Sequence, residues 1–233
     1  AALGSNIKII SLNVLLKILS NIWQTQTQYP STTVTNKINI EKDHSMHEHF
    51  LLPKLLIDKK HFTNKVKEQC ETWSHFGSGR FKFYVGLPDE DTLDRLDDIF
   101  QDAGDLIVRV NYNRIKSNHI IGPHSDYESG CTINIPICGN FADSTLDLYE
   151  HTEPVKVISP AQRFDKVPTS RFYPHSDIES QVSYTVPLCF DTRFPHGVTN
   201  VTNEDRFMLG CSFRMDLDVP KLRDMYESGK LLK

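Results

Sequence analysis

The chain has 233 residues, 39% of them hydrophobic and 24% charged, with a formal net charge of −4 at neutral pH. This is enough for one substantial buried core, and the interspersed charge excludes nucleic-acid binding through bulk positive potential. The five cysteines are odd in number, widely spaced and free of any C-x-x-C pair, which excludes a disulfide framework or zinc knuckle and fits a reducing, cytoplasmic compartment.

We divide the chain into an N-terminal helical extension and linker, residues 1–35, and a main domain, residues 36–233. The apolar run 7–23 is broken by Ser11, Asn13, Lys17, Ser20 and Asn21, so it is too short and too polar to span a bilayer. It also lacks the basic start and small-residue cleavage site of a secretory leader. Within it Leu12, Leu15, Leu16, Leu19 and Trp23 recur at near-helical spacing, which predicts an amphipathic helix packed on the body of the protein or on a second copy in a homodimer. Residues 24–39, rich in threonine and containing Pro30, read as a loop leading into an edge strand. His44, His47 and His49 crowd the next segment. Clustered imidazoles hold transition metals, but nothing nearby completes a defined geometry, and we read them as solvated loop histidines.

Further on, apolar positions at helical intervals predict helices over 57–73 and 89–103, the second with an acidic first turn, and alternation over 77–87 predicts a strand between them. From residue 106 the pattern changes. Short apolar runs at 106–112, 131–136, 146–149, 155–158, 182–190 and 207–215, separated by Gly, Pro, Asn and Asp clusters, predict strands of a sandwich or barrel rather than alternating β-α units. A last helix over 221–231 follows Pro220. The fold class is mainly β with flanking helices.

Chemistry concentrates in Gly122-Pro123-His124-Ser125-Asp126 and Pro195-His196-Gly197-Val198. A His and an Asp two apart on an extended strand project from the same face. Joined by His196, they offer two imidazoles and one carboxylate to one side of a cation, the arrangement of non-haem Fe(II) centres. Pro-His-Ser-Asp occurs twice, however, at 123–126 and 174–177. We take the first copy, because the 72 residues from His124 to His196 hold the strands needed to close a barrel, whereas the 21 from His175 hold only one strand and its turns. Arg206 opens an apolar run, where a guanidinium is costly unless it meets an anion, and its fork suits a carboxylate. The competing role for it is a salt bridge to Glu204 or Asp205.

At these residues the chain resembles the Fe(II)/2-oxoglutarate-dependent oxygenase superfamily, in particular its prolyl-hydroxylase-like and aspartyl/asparaginyl-hydroxylase-like members. The resemblance rests on His124-x-Asp126, the distal His196 and Arg206 ten positions later, with flanking runs 131–136 and 194–200. Aspartyl/asparaginyl hydroxylases commonly lack the carboxylate ligand, so Asp126 departs from that subgroup. The resemblance implies a double-stranded β-helix, or jelly roll, of cupin-like architecture. It further implies that His124, Asp126 and His196 are catalytic residues ligating Fe(II), that Arg206 binds the far carboxylate of the cosubstrate 2-oxoglutarate, and that dioxygen is consumed in hydroxylating a C–H bond. The substrate, a small molecule or a peptide side chain, stays open, with 159–178 as a lid over it. Two alternatives are a cupin-type metalloenzyme that does not use 2-oxoglutarate and a non-enzymatic β-sandwich binding module. Neither nucleic acid nor membrane is expected as a partner.

Overall fold

The computed structural model describes residues 47–76, 83–126, 129–152, 156–158, 170–173 and 175–233. The expected N-terminal helix, the linker, the boundary at residue 36, His44 and most of the expected lid lie outside them. All of the described residues belong to the second of the chain's two units, which begins at Asp43.

Thirteen strands, all paired antiparallel, form two sheets among the described residues. They are β1 (His49–Leu51), β2 (Ser74–Phe76), β3 (Phe83–Gly86), β4 (Ile107–Ile115), β5 (His119–Asp126), β6 (Thr132–Cys138), β7 (Thr145–Tyr149), β8 (Lys156–Ile158), β9 (Ser170–Phe172), β10 (Ile178–Val182), β11 (Leu188–Phe190), β12 (His196–Asn200) and β13 (Arg206–Phe213). The larger sheet runs β1-β11-β6-β13-β4-β3-β2 and the smaller β10-β7-β12-β5-β9-β8. Setting aside the edge strand β1 and the hairpins β2-β3 and β8-β9 leaves eight strands; β4 to β7 and then β10 to β13 pass alternately between the two sheets, with β7 and β10 paired in the smaller one, the jelly-roll winding expected from the sequence.

Period-two alternation splits the larger sheet into two chemistries. One face carries Tyr112, Ile133, Ile135, Leu209, Cys211 and Phe213, packed with Phe62, Val66, Leu96, Phe100, Val219 and Leu222 in one core cluster. Those last six lie on or beside helices α1 (Lys59–Gln69), α2 (Glu90–Ile99) and α4 (Val219–Glu227). Each of the three helices is capped by an aspartate, Asp58, Asp89 and Asp218, whose side chain accepts a backbone N–H three residues on, removing one of the orphan donors at each helix start. The opposite face of the sheet meets the smaller one through a second cluster: Ile115, Leu146, Leu148, Leu188, Phe190, Val198 and Met208.

Two expected elements differ. The strand expected over 182–190 is two strands in different sheets, because residues 183–187 cross between the layers and Pro187 has no N–H to continue a ladder. The helix expected over 89–103 stops at Ile99. Phe100 turns extended, with ψ of 140°, and buries its ring completely, and Asp102 then adopts a left-handed φ of 51° before a single turn, α3 (Ala103–Leu106). Hydrophobic anchoring here overrides helix propensity. All five cysteines are free. Among the described residues no helix is long and apolar enough to cross a membrane.

Candidate metal centre

The site is built where β5 meets β12. His196 pairs with His124, but Val198 pairs with Ile121, so β5 carries an extra residue against its partner. This bulge falls at Gly122-Pro123, where proline cannot donate to the ladder. Its consequence is geometric. Ile121 packs against the inter-sheet cluster, and the bulge lets His124, three residues later, join His196 across the strand pair, with the two ring centroids 4.5 Å apart. Asp126 follows His124 by two positions and its backbone N–H donates to the Thr192 carbonyl at 2.7 Å. Gly197 is required by the close approach: a Cβ there would lie 2.4 Å from the Ile121 carbonyl oxygen.

One donor atom from each of His124, Asp126 and His196 lies within 4.8 Å of the others, and among the described residues this is the only such trio. Both imidazoles are oriented from behind. His124 Nδ1 lies 2.9 Å from the Gly122 carbonyl and His196 Nδ1 lies 3.0 Å from the Phe194 carbonyl. A carbonyl oxygen only accepts, so each ring carries its proton on Nδ1 and its lone pair on Nε2, the tautomer a metal ligand requires. Burial, with the His124 imidazole beside it, pushes His196 down to about 4, so this ring is neutral at physiological pH. Two imidazoles and a carboxylate therefore suit a divalent transition metal of intermediate softness such as Fe(II).

The larger sheet supplies the facing wall. Registers on either side of β13 set Arg109, Ser212, Thr132 and Phe190 in one row, Asn111, Gly210, Asn134 and Leu188 in the next, then Asn113 beside Met208, and finally Ile115 beside Arg206. The first row faces the trio: Phe190 packs edge-on to His196 at 5.0 Å, and Arg109 Nη2 donates to Asp126 Oδ2 at 3.3 Å. Between the ends, Gly210 leaves a gap edged by the side-chain amides of Asn113, Asn134 and Asn111, at 3.1, 3.6 and 3.7 Å from where a Cβ would stand.

Arg206 closes the far end, fully buried. Its Nη1 donates to Ser144 Oγ at 3.2 Å and Nη2 to the Tyr184 hydroxyl, while Nε has no partner. The guanidinium lies over the Phe141 and Tyr184 rings at 4.4 and 4.8 Å. The competing salt bridge does not form: Asp205 accepts from Arg114 Nε at 2.7 Å and from the Ser117 N–H at 2.9 Å. Burial lowers the Arg206 pKa, and no carboxylate among the described residues offsets that cost directly. An anion entering along the Gly210 gap would do so.

The second Pro-His-Ser-Asp contributes nothing to the trio. His175 is exposed in a turn and Asp177 is exposed after it. His47 is buried rather than solvated, its Nε2 against the Tyr149 carbonyl and 3.3 Å from Glu179 Oε2. Residues not anticipated from sequence are Arg109, Thr132, Ser144, Tyr184 and the three asparagines. Alternation of Arg109, Asn111 and Asn113 with apolar neighbours was the available signal for an inward polar row.

No family model and no curated protein matches the chain. Solved structures to which it is similar include the epimerase SnoN in complex with Fe3+, alpha ketoglutarate and nogalamycin RO (12% identity over 72% of this chain and 78% of that one, TM-score 0.48). A 2OG-Fe(II) oxygenase family oxidoreductase from Burkholderia pseudomallei is 13% identical over 75% of this chain and 88% of that one, with a TM-score of 0.41. A Pseudomonas putida prolyl-4-hydroxylase is 10% identical over 72% and 91%, with a TM-score of 0.42.

Proposed function

We propose that this protein is an Fe(II)- and 2-oxoglutarate-dependent dioxygenase that hydroxylates a C–H bond. The observation that carries this reading is the presence, in one groove, of a 2-His-1-carboxylate trio and of a completely buried arginine whose described polar partners are two hydroxyls. His124, Asp126 and His196 would hold the metal, and Arg206, Ser144 and Tyr184 the distal carboxylate of the cosubstrate. With both bound, the site supplies oxidative decarboxylation: one atom of dioxygen enters succinate as CO2 leaves, and the other enters the substrate C–H bond.

The chain's own part in this chemistry is positional. The carbonyls of Gly122 and Phe194 fix both imidazoles so that neither ring must reorganise to bind. Phe190, Leu148 and Val198, buried around His196, exclude water from one side. Between the trio's row and Arg206 the facing wall presents the amides of the three asparagines beside Gly210, so an extended dicarboxylate finds hydrogen bonds along it and an ion pair at its end. A cupin-type centre that does not use 2-oxoglutarate would leave the Arg206 charge buried without an anion. An incidental pair of histidines in a binding module would have no need of matching Nδ1 anchors.

The reading is tested by Fe(II)-dependent release of CO2 from carboxyl-labelled 2-oxoglutarate without added substrate. Slow release by the wild type, lost in Asp126→Ala and restored in part by raised 2-oxoglutarate in Arg206→Lys, is the expected result. Release that is equal in Asp126→Ala and wild type would overturn it.

A further inference from the structure

Arg109 stands on the same row as the trio, at the opposite end of the groove from Arg206. Its Nη2 is shared between Asp126 Oδ2 at 3.3 Å and Ser212 Oγ at 3.2 Å, and Ser212 Oγ lies 3.1 Å from Thr132 Oγ1. The other two nitrogens, Nε and Nη1, are buried and have no partner. A guanidinium carries five N–H donors, and leaving buried donors unmade costs more than a surface arginine would ever incur. Bracing Asp126 accounts for one nitrogen and leaves the other two unexplained.

Two further observations identify what those nitrogens are for. The Arg109 and Asp126 side chains keep 23% and 19% of their exposure, while Arg206 keeps none. Arg109 is therefore reachable from solvent when the closed end is filled. The second observation is charge. Among the described residues the inward-facing charged groups are Arg109, Arg206 and Asp126, and Asp147 points from the other face of β7, where Thr145, Thr199 and Gln181 satisfy it. On the oxygenase reading a divalent metal and a dicarboxylate cosubstrate cancel each other, so one positive charge stays uncompensated, at the end where Arg109 stands.

We infer that Arg109, with the Ser212 and Thr132 hydroxyls, forms a substrate subsite for a single carboxylate, so that the substrate is a carboxylate-bearing molecule or a peptide presenting one. This rests on the proposed function for its charge balance. A carboxylate matches both the single uncompensated charge and the cluster of one guanidinium and two hydroxyls. A phosphate dianion would exceed that charge.

The test is calorimetric titration of protein loaded with Ni(II) and 2-oxoglutarate under argon, which binds without turnover. The probes are three acid and amide pairs of equal shape, acetate and acetamide, hexanoate and hexanamide, benzoate and benzamide, together with inorganic phosphate. At least one acid is expected to bind about tenfold or more tightly than its amide, the scale of a charge-assisted hydrogen bond. That preference should vanish in Arg109→Gln and persist in Arg109→Lys, with 2-oxoglutarate affinity unchanged within about twofold in both, whereas Arg206→Ala should show the reverse. The inference is overturned if no acid outbinds its amide, if the preference survives Arg109→Gln, if Arg109→Gln weakens 2-oxoglutarate instead, or if phosphate outbinds every acid. Should wild-type protein fail to bind 2-oxoglutarate, the oxygenase reading falls. The acid series on Ni(II)-loaded protein alone then still decides the role of Arg109.

Discussion

The two faces of β13 are equally buried and chemically opposite. Phe207, Leu209, Cys211 and Phe213 point into the helix-backed core, and Arg206, Met208, Gly210 and Ser212 point into the groove, none more than 8% exposed among those with side chains. Burial alone therefore says nothing about role here. What separates the faces is whether the buried groups are satisfied. The outer face presents apolar side chains whose burial contributes to stability, with the Arg114 guanidinium over the Phe207 ring at 5.5 Å. On the inner wall, arginines at both ends carry unpartnered nitrogens, a cost that a folded protein retains where a ligand is to be bound.

That contrast can be broken from either side. Phe213→Ala removes a fully buried ring packed edge-on to Phe100 at 6.0 Å and is expected to cost about 3–5 kcal/mol of stability, read by denaturant unfolding, with metal affinity of the folded fraction unchanged. A loss of metal binding at unchanged stability would contradict the division. Asp126→Ala should lower transition-metal affinity by about a hundredfold or more with little change in Tm, because it deletes one of three ligands from a part-exposed position. Calorimetry with Ni(II) measures it. Arg206→Met should weaken 2-oxoglutarate about ten- to a hundredfold while leaving stability equal or higher, since a buried, incompletely satisfied charge is exchanged for an apolar chain of similar length. Stability that falls sharply would mark Arg206 as structural.

The smallest effect sharpens the helix side. Lys65 Nζ and the Thr92 hydroxyl beside Asp89 hold its carboxyl well below the usual carboxylate range. A depressed folded-state pKa contributes stability that is complete above the unfolded value near 4 and is lost as pH falls below it. Because Asp89 is 44% exposed, solvent screening reduces the contribution to about half a kcal/mol. Asp89→Asn should therefore lower Tm slightly across the neutral region, where this contribution is complete, and converge with the wild type as the pH falls below 4, so that the acid limb of the Tm-versus-pH curve is flatter.

Much of this architecture was legible in the sequence because periodicity is local. The alternation in residues 207–213 predicts one apolar face, and His124-x-Asp126 predicts two donors on one side of a strand. Three features were not legible because they depend on pairing between distant strands. The bulge at Gly122-Pro123 is visible only once β12 is set against β5. Arg109 reaches the site only through its register opposite Ser212, and Tyr184 reaches Arg206 only because 183–187 crosses between sheets instead of extending a strand. Proline 187 signalled a break there, and the apolar composition around it outweighed that signal.

The central claim is that the trio and Arg206 bind one metal chelate between them. Anaerobic titration of the apoprotein with Fe(II) and then 2-oxoglutarate tests this most directly, by the visible metal-to-ligand charge-transfer band of the chelate. A band that develops in wild-type protein, is absent in Asp126→Ala and needs about ten- to a hundredfold more 2-oxoglutarate in Arg206→Met is the expected result. Fe(II) binding with no band at saturating 2-oxoglutarate, or a band that persists in Asp126→Ala, would contradict the account.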